Sequence, residues 1–400
     1  MSNVEVTYPS IEAAKCPFPL FAQLRHEAPV YQVPGTNSFL VTRWEDIRQV
    51  CHATDDFTSD SRRSRMPYDA FGDANSTVRG LLELDPPAHK ARRDACRESL
   101  TPTLMRRYEP MVREITDSLI DAFIDDGRVE LVSQFSSPLP MRVMMNLFGF
   151  GEDDVSWVKG WSMVETSGSI FLGAEAQERQ RSFARVAGER MMEELVDRYE
   201  NPREDVLSDV VARNVELLGH FDAIQIRADA ANLFRGGIIT VAHAVPMAMH
   251  HFLQHPDQMA ELRADPAGIP RAFEEALRLD SPSQWDPRIA TRDTEIGGVA
   301  IPEGSYVMVV WASGSRDEDI FDEPEEFKRD RQEVARHLSF GYGPHFCVGA
   351  PLGRLEAKVA FEHLFARLSD IRYAPGTEVE YIASPKFRGL TGLELEFNKA

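Results

Sequence analysis

The sequence predicts a mainly α-helical protein with a minor β region, an α+β fold. Helical periodicity dominates from residue 87 to about residue 280, and short strand patterns lie towards the two ends of the chain. Strands and helices do not alternate in the βαβα order of a doubly wound sheet. Because the 400 residues contain no internal repeat and no low-complexity linker, we expect one domain over residues 1–400.

Short β patterns open the chain. Residues 29–33 and 39–42 flank Pro34-Gly35-Thr36-Asn37, a turn-forming sequence, so they predict a hairpin. The helical periodicity that follows places Pro110 in the first turn of one helix, where proline is tolerated. Helices are predicted at residues 110–124, 141–148 and 183–199.

The longest stretch without an acidic side chain, lysine or arginine is residues 236–256. It contains Pro246 and four histidines, which a lipid-spanning helix would not carry, so we expect a buried core helix. Strand patterns return after Gly297-Gly298, and the chain ends with a long helix and a last strand. These elements are predicted at residues 299–301, 306–311, 351–368 and 393–397.

Charge and cysteine usage exclude several classes of protein. The net charge of −20 repels phosphate backbones, so we expect no nucleic-acid partner. Residues 1–15 resemble neither a signal peptide nor a membrane anchor, and we expect a cytoplasmic protein without a membrane partner. The four cysteines contain no CxxC pair, which argues against a disulfide framework or a zinc ribbon. No glycine-rich phosphate-binding motif is present.

The most informative segment is the cysteine loop, residues 340–349, with the sequence FGYGPHFCVG. Its glycines and proline require an irregular backbone, and a helix is predicted to follow, so Cys347 lies just before a helix N-terminus. Free N–H groups and the helix dipole lower a thiol pKa there, as a thiolate metal ligand requires. An isolated cysteine in such a turn would more often be a small core residue.

The cysteine loop matches F-G-x-G-x-H-x-C-x-G at every specified position: Phe340, Gly341, Gly343, His345, Cys347 and Gly349. This pattern resembles the haem-thiolate loop of cytochromes P450, and the resemblance extends over nearly the whole chain. It implies a P450-like helical fold that encloses haem b (iron protoporphyrin IX), with Cys347 as the iron ligand. Phe340, Gly341 and Gly349 would line the cofactor.

A second part of the resemblance is structural. Glu275 and Arg278 resemble the E-x-x-R helix of the family, and Arg331 follows a segment similar to the meander that supplies a second arginine. Residues at i and i+3 share a helix face and can pair. On its own such a pair is typical of a solvated helix face. The resemblance implies that these three side chains stabilise the fold behind the haem.

The resemblance also assigns residues to the two haem propionates. His89 and Arg93 match the start of the family's helix C, Arg288 matches the strand after the E-x-x-R helix, and His345 joins them. Two carboxylates in a partly buried cleft require cationic or hydrogen-bonding partners. Taken alone, His89 would be interpreted as a helix cap or a surface residue.

Residues 232–241 resemble the long helix that crosses the haem, with Gly236, Gly237 and Thr240 as catalytic candidates. A threonine hydroxyl can bond to the carbonyl four residues earlier and open the helix for oxygen and water. Ile239 departs from the family, because it occupies the position of the usual acid and carries no proton. Protons would then come from ordered water, from Thr240 alone or from the substrate. Peroxide-driven or non-oxygenating chemistry is the alternative.

Substrate contacts are expected, by analogy, from residues 62–84, 157–171, 284–289 and 383–387. Trp285 and Ile239 are apolar candidates, although a residue such as Trp285 is more often plain core than pocket lining. Arg235 would bind an anionic substrate or pair with an acid of a neighbouring helix.

The activity that the resemblance implies is monooxygenation of a small or medium hydrophobic molecule with O2, by hydroxylation or oxidative dealkylation. Since no flavin or iron–sulfur module is recognisable, electrons would come from a ferredoxin-type donor with its NAD(P)H-dependent reductase. The segment from His89 to Arg113 predicts a basic patch with three acids and seven bases: Lys90, Arg92, Arg93, Arg97, Arg106, Arg107 and Arg113. Such a patch suits an acidic partner, although a solvated helix face is the alternative for any single base. Alternatives are a peroxide-driven or non-oxygenating haem-thiolate enzyme, or a haem-based ligand-binding protein.

Overall fold

Helices make up most of the computed structural model, which describes residues 8–60, 78–166 and 174–400. The helices are α1 (Ile11–Lys15), α2 (Phe18–Glu27), α3 (Trp44–His52), α4 (Ala88–Arg97), α5 (Pro102–Asp121), α6 (Pro138–Leu147), α7 (Val155–Thr166), α8 (Ala174–Glu200), α9 (Val206–Leu218), α10 (Ala223–Gln254), α11 (Pro256–Ala264), α12 (Ile269–Leu279), α13 (Trp311–Gly314) and α14 (Ala350–Arg367). The strands are β1 (Val30–Gln32), β2 (Ser38–Val41), β3 (Phe57–Thr58), β4 (Arg128–Glu130), β5 (Asp286–Ala290), β6 (Thr294–Ile296), β7 (Val299–Ile301), β8 (Tyr306–Val309), β9 (Leu368–Tyr373) and β10 (Glu394–Lys399). The predicted mainly α architecture with a minor β region is confirmed.

The strands form three small sheets within the described residues. The largest has the order β1-β2-β8-β5-β3, the second β4-β10-β9 and the third β6-β7. The predicted N-terminal hairpin is present, with Val30 opposite Val41 in an antiparallel pair. Its strand β2 also pairs in parallel with β8, which joins the start of the chain to a segment near residue 306.

Helix α10 is the centre of the helical body. It has 32 residues, which corresponds to about 48 Å at 1.5 Å per residue. It packs against α6, α8, α12 and α14, and its second half is almost entirely buried. The apolar helix predicted at residues 236–256 is therefore confirmed as core. None of the described helices combines the length and the apolar character needed to cross a lipid bilayer.

Three predicted boundaries were wrong. Helix α8 begins at Ala174, nine residues before the predicted start at residue 183, and strand β8 ends at Val309, with Trp311 beginning a short helix.

Helix α5 begins at Pro102, eight residues before the predicted start at Pro110, and the hydroxyl of Thr101 accepts a hydrogen bond from the N–H of Leu104 as its cap. Pro110 lies inside the helix on its exposed face. There, water can hydrogen-bond the carbonyl that proline leaves without an N–H donor, and the ring does not disturb the buried face. The cap and the first-turn proline at residues 101–102 decide where the helix begins.

Candidate active site

An internal cavity is lined by residues of α10 on one side and of the cysteine loop on another. Its volume is about 260 Å³. The predicted site residues that line it are His89, Arg93, Gly236, Gly237, Thr240, Phe340, Gly341, His345, Cys347 and Gly349. Most of the remaining lining is apolar, including Leu81, Leu82, Leu100, Met144, Leu233, Val241 and Ala244.

The cysteine loop holds the thiol of Cys347 against this cavity. The backbone N–H of Cys347 donates to the carbonyl of Phe340 at 2.7 Å, which closes the loop on itself. Gly341 and Gly343 have φ angles of 72° and 73°, in the left-handed region that favours glycine. A Cβ atom at Gly343 would also lie 3.1 Å from the carbonyl oxygen of Cys51. Both glycines are therefore needed for the loop conformation.

The electrostatics of Cys347 differ from the sequence-based expectation. The helix N-terminus was expected to lower the thiol pKa, and burial instead raises the pKa of Cys347 above its usual range. The backbone N–H groups of Gly349 and Ala350, together with Arg93, act in the opposite direction. These groups stabilise the negative charge that a thiolate ligand would carry.

His89, His345 and Arg93 line one part of the cavity, and the charge of Arg288 acts on both histidines from outside the lining. The rings of His89 and His345 are 3.9 Å apart, and the Nε2 atom of His345 lies 3.0 Å from the hydroxyl of Ser59. Burial, followed by the nearby charge of Arg93, lowers the pKa of His89 to about 4. Burial and Arg288 lower the pKa of His345 to about 3.

This group fits an anionic cofactor. The Nε2 atom of His89 is buried and has no hydrogen-bond partner among the described residues. Arg288 does not line the cavity, and its Nη1 atom donates to the carbonyl of Pro287 at 2.7 Å, but its charge reaches both histidine rings. A haem propionate would supply a hydrogen-bond partner for His89 and a counter-charge for the arginines.

The opening expected in the helix at Thr240 is not observed, because α10 is continuous from Ala223 to Gln254. The hydroxyl of Thr240 donates to the carbonyl of Gly236 at 2.9 Å, and a Cβ at Gly236 would meet only open space. A Cβ at Gly237 would lie 2.5 Å from the sulfur of Met144, so glycine is required for helix packing there. Ile239 is 2% exposed and does not line the cavity. Its side chain is part of the buried hydrophobic core of the protein.

Two further substrate candidates also lie away from the cavity. The indole N–H of Trp285 donates to the carbonyl of Pro385 at 2.8 Å, and the ring packs in an apolar cluster with residues such as Phe21 and Met308. The structure therefore does not bring Trp285 to the cavity. Arg235 is half-buried and does not line it either. Residues 62–77 and 167–171 of the predicted substrate segments lie outside the described residues.

Glu356 lines the cavity and was not among the predicted site residues. It is completely buried, and neither carboxyl oxygen has a hydrogen-bond partner among the described residues. Burial raises the pKa of Glu356 well above its ordinary value. The sequence held a signal: a glutamate occurs on α14 at the spacing of its apolar face, between Leu352, Leu355 and Val359.

Known proteins share both the sequence pattern and the fold. The sequence model of the family described as Cytochrome P450 matches residues 269–390. Cytochrome P450 monooxygenase PikC of Streptomyces venezuelae is 33% identical over 393 residues, covering 96% of this chain and 91% of the relative. Vitamin D(3) 25-hydroxylase of Pseudonocardia autotrophica is 33% identical over 385 residues, covering 94% and 92%.

A solved structure gives the same result for the fold. The structure of Cytochrome P450 CYP109Q5 from Chondromyces apiculatus superposes with a TM-score of 0.87 at 30% identity, covering 98% of this chain and 97% of that one. Similarity at this level over almost the full length, together with the cysteine loop facing an internal cavity, settles the family. The chain belongs to the cytochrome P450 family and is an oxidoreductase of the P450 monooxygenase type.

Proposed function

We propose that residues 1–400 form one unit that binds haem b and inserts one oxygen atom of O2 into a small or medium hydrophobic molecule. For a hydroxylation the balance is substrate–H, O2, two electrons and two protons giving substrate–OH and water. The observation that carries the proposal is that Cys347 and Thr240 line one mainly apolar cavity, with cationic and imidazole groups beside it.

The cofactor would be held by residues that line or border this cavity. Cys347 is the iron ligand in the proposal, and His89, Arg93, Arg288 and His345 pair with the propionates. The packing of Phe340, Gly341 and Gly349 around Cys347 supports this assignment. When bound, the haem supplies an iron whose thiolate ligand donates electron density and favours cleavage of the O–O bond; P450 enzymes are the standard example.

The free space beside Gly236 on α10 is proposed to hold oxygen and water. The hydroxyl of Thr240 donates a hydrogen bond to the carbonyl of Gly236, and a Cβ atom at Gly236 would meet no protein atom. Since Ile239 is apolar and buried in the core of the protein, protons have to reach this space through water, through Thr240 or from the substrate.

A ferredoxin-type protein with its NAD(P)H-dependent reductase is the proposed electron donor. Fewer bases of the predicted patch are exposed than the sequence suggested. Arg92 is not on the surface, because it is buried in an ion pair with Asp229, and Arg113 is paired with Glu109 and Glu362. The exposed cations form the α4–α5 basic surface: Lys90, Arg97, Arg106 and Arg107. Lys90 and Arg97 also contact Asp94, and Arg107 contacts Glu204, in exposed ion pairs. A basic surface on an otherwise acidic protein suits an acidic redox partner.

The proposed substrate class rests on the cavity lining, and the proposed cellular location of the protein rests on its cysteines. The apolar lining favours a hydrophobic organic substrate, and one relative is named for vitamin D(3). Hydroxylation and oxidative dealkylation share the same first step, so both are included. A cytoplasmic location is proposed because the four cysteines are free thiols.

Peroxide-driven chemistry is the second candidate, favoured by the burial of Ile239 where the family carries an acid. The test is turnover of the purified haem protein on a panel of hydrophobic compounds with isotope-labelled O2. We expect product that carries one labelled atom, dependent on NADH, ferredoxin and reductase. Product formed as fast from hydrogen peroxide alone, with none from the ferredoxin system, would favour the second candidate.

A further inference from the structure

Helix α4 carries two adjacent arginines that face different parts of the protein. Arg93 lines the cavity, and burial lowers the pKa of its guanidinium group. Arg92 does not line the cavity and is buried against α10. Successive residues point about 100° apart around a helix axis, so a rotation of α4 by that angle would bring Arg92 to the cavity in place of Arg93. The rotation of α4 therefore decides which arginine meets a ligand in the cavity.

The carboxylate of Asp229 on α10 binds Arg92 in the protein interior. Its Oδ2 atom accepts a hydrogen bond from the Nε atom of Arg92 at 2.7 Å and a second hydrogen bond from the Nη2 atom. The Nη2 atom also donates to the carbonyl of Gln225 at 3.3 Å. Burial raises the pKa of Asp229 to about 6, and the charge of Arg92 acts in the opposite direction. These contacts fix the orientation of the Arg92 guanidinium group as well as its position.

Stability alone does not explain a charged pair at this place. A buried ion pair often stabilises a fold no more than apolar residues of similar volume, because both charges lose their hydration. Its geometry is stricter than that of apolar packing. Helix α4 packs mainly against α9, and the Arg92–Asp229 pair joins it to α10. Asp229 precedes Gly236 and Thr240 by seven and eleven residues, so it lies on the face of α10 that carries them.

We propose that Arg92 and Asp229 form a positioning pair for haem binding. The pair sets the rotation of α4 so that His89 and Arg93, four residues apart on one helix face, meet a haem propionate, while Arg92 is kept away from it. This inference rests on the proposed function, because it takes the propionate roles of His89 and Arg93 from there.

The first test releases Arg92 in a protein that lacks Arg93. Arg93→Ala is expected to transfer its haem to apomyoglobin about tenfold faster than wild type, the lower end of what loss of an outer contact costs a bound metal. When Asp229→Asn is added, Arg92 can turn towards the propionate, and we expect haem transfer about threefold slower than in Arg93→Ala alone. If the double variant lost haem as fast as Arg93→Ala, or faster, the proposal would be overturned. Wild-type retention in Arg93→Ala would count against the proposed propionate role of Arg93.

The second test is resonance Raman spectroscopy of the ferric haem protein, in which the propionate bending band reports the hydrogen bonds of the propionates. Asp229→Asn is expected to shift this band. The control is Asp154→Asn, at another buried acid, which pairs with Arg190 and Trp157 away from the cavity lining and should lower the urea midpoint without shifting the band.

If Asp229→Asn does not bind haem, Arg92→Lys takes its place, since it keeps the charge and loses one hydrogen bond to Asp229; a smaller shift of the band is expected. An unchanged band, or an equal shift in Asp154→Asn, would contradict the proposal. A wild-type protein without haem would count against the proposed function.

Discussion

The Nε atom of Arg331 donates to the Oε1 atom of Glu275 at 2.8 Å, across 56 residues of sequence. Arg278 donates to both oxygens of the same carboxylate, at 2.7 and 2.9 Å. All three side chains are buried, and the two guanidinium groups also donate to backbone carbonyls of the 315–326 segment. This cluster holds the irregular chain before the cysteine loop against α12.

Removing one member should destabilise the protein strongly. Arg331→Ala leaves Glu275 with one cation fewer and leaves buried carbonyls without donors, and breaking a buried pair costs about 3–5 kcal/mol. We expect a lower urea midpoint and loss of bound haem. Arg329→Ala is the control, because Arg329 pairs with Glu261 near the surface, where ion pairs contribute about 0–1 kcal/mol. Equal midpoints for the two variants would contradict the role of the cluster.

Thr240→Val should separate electron use from product formation. The substitution keeps the shape of the side chain and removes the hydroxyl that bonds to Gly236 in the cavity wall. We expect about tenfold less product per NADH, with the electrons recovered as hydrogen peroxide. Thr116→Val is the matched control, since Thr116 donates to Val112 in the buried face of α5, away from the cavity. Comparable coupling in both variants would refute a role for the Thr240 hydroxyl.

Charge reversal on the α4–α5 basic surface should slow reduction by a ferredoxin. For Arg97→Glu combined with Arg106→Glu we expect about a tenfold lower second-order rate at low salt, and a smaller difference at high salt, because screening weakens steering. Stopped-flow reduction of the haem measures this rate. Arg185→Glu, at an exposed arginine of α8, should leave the rate unchanged. If the double variant at Arg97 and Arg106 were reduced as fast as wild type and Arg185→Glu, the α4–α5 basic surface would not be the docking site.

His243 should make the protein sensitive to mild acid. Burial lowers the pKa of His243 from 6.5 to about 4, and its Nε2 atom has no partner among the described residues. Between these pH values the unfolded chain binds a proton that the folded protein does not, so stability decreases as the pH falls from 6.5 to 4. The loss amounts to about 3 kcal/mol at 1.36 kcal/mol per pH unit.

The variant His243→Asn cannot be protonated and should lose less stability over this range. The comparison is the difference in urea midpoint between pH 7 and pH 4.5 for wild type and variant. His220→Asn, at an exposed histidine, should behave as wild type. The same pH dependence in His243→Asn and wild type would show that His243 does not control the effect.

Much of the fold could be predicted because local patterns dictated it. The run without acidic or basic charges at residues 236–256 is the buried half of α10, and the turn at Pro34-Gly35 joins β1 and β2. What could not be predicted depends on contacts between distant segments. The parallel pairing of β2 with β8 joins residues about 270 apart, and no local pattern specifies it.

The same distinction applies to the site. The cysteine loop has a strict pattern because its own turns fix its shape, and the structure brings it to the cavity with Thr240 and His89. Trp285 and Arg92 were misjudged because an isolated aromatic or basic residue does not reveal the partner that buries it, here Pro385 and Asp229. Glu356 was missed because a single glutamate on an apolar helix face does not reveal which cavity that face lines.

The central claim is that Cys347 binds haem iron as a thiolate inside this cavity, and the ferrous–CO difference spectrum tests it most directly. Wild-type protein, reduced with dithionite and treated with CO, should show the Soret band at the red-shifted position that an electron-donating thiolate gives. Cys347→Ser should lose that band, while Cys51→Ser, at a buried cysteine outside the cavity lining, should keep it. A wild-type band at the position of a neutral ligand, or no bound haem, would contradict the account.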